Sequence, residues 1–75
     1  MIIIDAFQIK GSKHKVLTTF RLDRKLTADE RACKTALVGD NLELSLGSTT
    51  SDELMWTGDE IPNPKALIGQ EIIFL

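Results

Sequence analysis

The residues able to do chemistry are few and poorly spaced for it. The chain holds one histidine, His14, and one cysteine, Cys33. Nucleophilic catalysis needs a nucleophile within hydrogen-bond reach of a base, in an enclosed cleft. His14 sits in Lys13-His14-Lys15 just after Gly11-Ser12. Two flanking cations disfavour its protonated form, and a turn tip offers no enclosure. Cys33 lies among alanines and reads as a small core residue on a helix. Inside a helix it lacks the N-terminal dipole that would activate a thiolate.

Metal and phosphate chemistry fare no better. One His and one Cys, 19 residues apart, do not make a zinc set. Asp40, Asp52 and Asp59 lack the regular spacing of a calcium loop. The Gly47-Ser48-Thr49-Thr50 loop lacks the Gly-Lys-Ser/Thr ending of a phosphate-binding loop, and it follows a strand pattern without opening a helix. The expectation is no catalytic residue, no metal site and no cofactor, and therefore no enzyme and no small-molecule substrate.

Charge is the informative irregularity. Residues 1–34 carry eight cations against four carboxylates, for +4; residues 35–75 carry one cation against seven carboxylates, for −6. Lys10, Lys13, His14 and Lys15 cluster at a hairpin tip, and Arg21 lies further along the second strand. Such a patch could meet nucleic-acid phosphates or an acidic protein surface. Against nucleic acid, the chain has net charge −2, and Phe20 is the only aromatic between Lys10 and Lys25. By alternation Phe20 points to the apolar face, so the patch lacks the aromatics on which bases stack.

A second hint concerns contacts. Met55 and Trp56 are adjacent, so on a strand they point to opposite faces and one of them is left outside. Ile2 and Ile4 oppose Ile3 in the same way. Trp is a common interface anchor. The preferred expectation is a non-enzymatic module acting by protein–protein binding, self-association included, with Met55 and Trp56 as contact residues. The alternative is a nucleic-acid-binding domain using the Lys10–Lys25 hairpin.

The elements that must position these residues follow from periodicity and turn chemistry. Residues 2–10 are isoleucine-rich, with Ile3, Phe7 and Ile9 on one face interrupted by Asp5. After the Gly11-Ser12 turn, Val16, Thr18, Phe20 and Leu22 alternate with partners in a half-buried strand, completing a hairpin. Thr27 and Glu30 form a Thr-x-x-Glu capping box, which predicts a helix over about 27–38 with an alanine stripe and a stop at Gly39. Leu42, Leu44 and Leu46 alternate as a strand, and 53–57 make a weaker one. Asn63-Pro64 predicts a helical turn over about 64–68. The uncharged run Ile72–Leu75 predicts a strand buried on both faces near the middle of the sheet.

The resulting order is β-β-α-β-β-β, an α+β domain. Short connections favour an antiparallel sheet, either open under the helix or curled into a partly closed five-strand barrel. A helical turn ahead of the last strand resembles SH3-like barrels in arrangement, with no residue motif behind the likeness. Seventy-five residues make one domain, 1–75, with an apolar fraction of 43%. A single cysteine permits no internal disulfide, which favours a reducing compartment and a cytoplasmic location. No apolar run exceeds four residues, against about 20 needed for a membrane-spanning helix.

Overall fold

A computed structural model describes residues 1–11 and 15–75. Six strands form two antiparallel three-stranded sheets: β1 (Ile3–Lys10), β2 (Val16–Leu22) and β5 (Leu54–Thr57) in one, and β3 (Thr35–Val38), β4 (Leu42–Ser45) and β6 (Ile72–Phe74) in the other. The orders are β1-β2-β5 and β4-β3-β6. Among the described residues, one short helix, α1 (Ala28–Ala32), and a 3-10 turn, Pro64–Leu67, complete the fold. Single bridges at two corners, Ile2 with Glu71 and Leu46 with Thr57, tie the sheets together without continuous ladders. The α+β class and antiparallel pairing agree with expectation; the barrel does not close.

The hairpin forms as expected, with Lys10 opposite Val16 and the Gly11 N–H donating to the Lys15 carbonyl. A bulge between Ile3 and Asp5 makes Ile4 an extra residue opposite β2. It flips the faces of β1. Ile3 and Ala6 both enter the core, whereas Phe7 and Ile9 turn outward, so the expected shared face of Ile3, Phe7 and Ile9 is broken.

The helix expected over 27–38 is far shorter. Its capping box is present: the Glu30 N–H donates to Thr27 Oγ1 at 3.2 Å, and the Thr27 N–H donates to Glu30 Oε1 at 2.9 Å. The chain leaves the helix at Cys33 with extended ψ, and 35–38 become the central strand of the second sheet. Local propensity loses to pairing here. Ala36 fits between Leu44 and Phe74 on the flanking strands, whereas α1 buries no residue that could hold a longer helix down. Gly39, with φ +63°, therefore turns β3 into β4 instead of ending a helix.

Between the sheets lies one core. Phe20 is fully buried, with Ala6 and Met55 opposite it on the flanking strands, and Val38, Leu44 and Ile72 face it from the second sheet. The turn before β6 forms, with Pro64 in its first turn, although Asn63 makes no side-chain cap bond. β6 itself sits at the edge of its sheet, not at the middle where its sequence places it.

Candidate interaction surfaces

The two residues expected to make contacts separate as alternation requires. Met55 is fully buried and belongs to the core, so it has no surface to offer a partner. Trp56 is half-buried on the outer face of the first sheet, opposite Thr19. Its indole lies over Gly47, where any Cβ would collide with the ring, and Nε1–H donates to the Ser48 carbonyl at 2.8 Å. The Gly47 N–H returns a bond to the Trp56 carbonyl at 2.9 Å. Trp56 thus holds the 47–52 loop against its own sheet, and much of the ring is spent on that job.

Two of the loop's hydroxyls are spent as well. Thr49 Oγ1 donates to the Leu54 carbonyl and accepts from the Ser51 N–H, while Ser51 Oγ accepts from the Glu53 and Leu54 N–H groups. Small polar residues here serve the turn's own backbone.

Of the basic patch, Lys10 and Lys15 are exposed at the base of the hairpin tip, while Lys13 and His14 lie outside the described residues. Arg21 sits toward the other end of β2 and reaches Glu53 at 3.8 Å. Lys25 meets Asp52 at 3.8 Å, and Lys65 meets Asp5 at 3.2 Å. Arg24 clasps Glu30 through two nitrogens, at 3.0 and 2.7 Å. That clasp, aided by the Thr27 N–H, holds the Glu30 carboxyl down to about 2 from its ordinary 4.5. Asp5 is likewise lowered by its bond to Lys65 and by the Ala6 N–H. The charge split along the chain is therefore folded back on itself: Arg21 and Lys25 of the basic half face Glu53 and Asp52 of the acidic half.

Cys33 is half-buried at the C-terminal cap of α1, with Sγ 3.4 Å from the Asp29 carbonyl. It is a helix-end residue rather than the core residue its alanine neighbours suggest. Among the described residues, no three His, Cys, Asp or Glu gather as a metal set. No helix among the described residues is long and apolar enough to cross a membrane.

The feature sequence reasoning missed is a corner. Seven large hydrophobic residues are exposed among the described residues, and five belong to one seam: Ile2, Ile4, Ile68, Ile73 and Leu75. The other two, Ile9 and Val16, lie by the hairpin tip. The Ile3 N–H donates to the Gln70 carbonyl, the Gly69 N–H to the Ile3 carbonyl and the Ile72 N–H to the Met1 carbonyl. These bonds draw 69–72 antiparallel along 1–3, and the five residues belong to these two segments and their immediate continuations. Ile2 and Ile4 flanking Ile3 were a legible sign of it. Ile73 and Leu75 were not, because their run reads as an interior strand.

The chain matches no protein-family model, no curated protein and no solved structure.

Proposed function

We propose that this chain is a non-enzymatic interaction module that acts by binding protein through the apolar corner where the start of β1 meets β6. One observation carries the reading: five of the seven exposed large hydrophobics among the described residues belong to the segments 2–4 and 68–75, whose backbones are bonded to each other. Exposed apolar residues gathered on neighbouring segments of a small domain favour a contact site more than residues scattered singly do. Trp56, the anchor the sequence favours, contributes less, since its indole is already engaged with Gly47 and Ser48.

The nucleic-acid reading draws less support. Arg21, Arg24 and Lys25 each have a carboxylate partner, which leaves Lys10 and Lys15 as the described cations of the hairpin without one. A basic stripe needs more unneutralised charge than that to bind phosphates at physiological salt.

The test is retention of a partner from an extract of the native host on immobilised chain. The Ile4→Lys/Ile73→Lys double variant, folded by circular dichroism, should lose the retained protein, and Trp56→Ala should keep it. Undiminished retention by the Ile4/Ile73 variant would count against the corner. Salt-sensitive binding to heparin that disappears on replacing Lys10 and Lys15 by Ala would favour the nucleic-acid reading instead.

A further inference from the structure

The partner that fits this corner can be named from the strand that borders it. We propose that the open edge of β6 pairs antiparallel with β6 of a second copy, joining two β4-β3-β6 sheets into one sheet of six strands. This rests on the reading of the corner as a protein contact and specifies its occupant.

The first argument is the mismatch between sequence and position. Ile72-Ile73-Phe74-Leu75 is uncharged and apolar on both faces, the pattern of an interior strand. Natural edge strands are usually protected by charge, proline or cover. β6 is an edge strand with no charge or proline within it; residues 1–2 cover its edge only as far as Ile72, and its Ile73 and Leu75 are 48% and 58% exposed. Pairing with a second β6 turns the edge into the middle of a sheet.

The backbone supplies the second argument. The Leu75 N–H donates to the Thr35 carbonyl, and Ile73 lies opposite Leu37, so odd-numbered residues of β6 bond inward to β3. Even-numbered residues face away. The Ile72 N–H is taken by the Met1 carbonyl, and the Phe74 N–H and C=O have no partner among the described residues. A two-fold axis at Phe74 lets the two copies of that residue exchange both bonds, the close pair of an antiparallel ladder. A groove of about 340 Å³ lies beside β6, bordered by Met1 and Phe74 and, from the α1 side, by Arg24, Glu30 and Cys33.

The other strand edges are each touched by another segment. The 3-10 turn packs along β1, where Gln8 also bonds the Ile61 carbonyl. β4 and β5 are tied by the Leu46–Thr57 bridge and by Asp59 accepting from the Ser45 N–H.

Charge selects the antiparallel sense. Exposed Glu71 precedes β6, and exposed Lys34 stands next to Thr35, beside the far end of β6. Antiparallel pairing brings the Glu71 end of each copy to the Lys34 end of the other, whereas parallel pairing would set like charges together. In this register Ile73 lies across from the second copy's Leu75 on the outer face.

Sedimentation over a concentration series reads the proposal directly. A seam this small belongs with contacts under about 1,200 Å², so a dimer half-formed at about 10–100 μM is expected. Ile73→Lys and Leu75→Glu should each weaken it at least about tenfold, and the double variant should recover most of the loss by facing Lys with Glu across the axis. Exchange of the Phe74 amide hydrogen should slow as concentration rises while that of Leu75 does not, a signature that general stabilisation cannot produce. A wild type monomeric up to about 1 mM, or single variants that dimerise unchanged, overturns self-pairing. If the wild type is monomeric yet a host protein is still retained through Ile4 and Ile73, self-pairing fails and the protein-binding corner stands.

Discussion

Two outward apolar regions of this small protein are managed in opposite ways. Around Trp56, the indole is pinned to Ser48 and roofed onto Gly47, so the sheet's outer face closes on a loop of its own chain. Around β6, Ile2, Ile4, Ile68, Ile73 and Leu75 face outward with no element laid across them. Both regions lie at sheet margins, and both carry residues that usually anchor contacts. What separates them is the neighbouring connection. The 46–53 connection folds back over β5, whereas no described helix or strand lies over Ile73 and Leu75. A residue's type therefore says less about its availability than the connection that follows it.

The comparison can be broken in four ways. Met55→Ala should have the largest effect on stability, about 2–5 kcal/mol in denaturant unfolding, because it opens a cavity beside Phe20. If Met55 instead served a partner, stability would hold and affinity would fall. Next comes Gly47→Ala, expected to cost about 1–3 kcal/mol since the new methyl must displace the indole. Trp56→Leu in the same chain should relieve part of that cost, and a double-mutant cycle with no coupling would remove the clasp from the account.

A smaller loss is expected from acid. Glu30 has a carboxyl depressed in the folded state to about 2 from 4.5, so its contribution is present above pH 4.5 and fades as pH falls toward 2. Glu30→Gln should flatten that part of the stability–pH curve and lower stability at neutral pH by at most about 1 kcal/mol, through the lost charge opposite Arg24, since the amide oxygen can still accept from the Thr27 N–H. An unchanged acid limb in the variant would show that Arg24 does not hold this carboxylate in solution. The smallest change is expected from Ile73→Ser, within about 0.5 kcal/mol of wild type, since the side chain is on the outside of an edge strand. A large loss there would mean that β6 is packed more deeply than its exposure indicates.

Several elements were readable residue by residue. Val16 to Leu22 alternates cleanly and forms β2, and Thr27 with Glu30 forms its capping box because both partners lie within one helical turn. Asn63-Pro64 opens the turn before the last strand. Each of these depends on residues close in sequence. Residues 35–38 were not readable in this way. Ala32 and Ala36 fit a helical stripe, while Ala36 and Val38 fit a strand, and the choice fell to Leu44 and Phe74, which pair across Ala36 from distant parts of the chain. The bulge at Ile4 is similar: it reverses the faces of β1 for reasons that lie in the register with β2.

The candidate surface divides along the same line. Local sequence was enough to set the turns, the helix start and the strand class, because each depends on near neighbours. Which strands end at an edge, which cations meet carboxylates, and whether Trp56 or Ile73 faces solvent were decided only by tertiary structure. Those outcomes depend on contacts between residues tens of positions apart, and alternation along a strand names two faces without saying which will be covered.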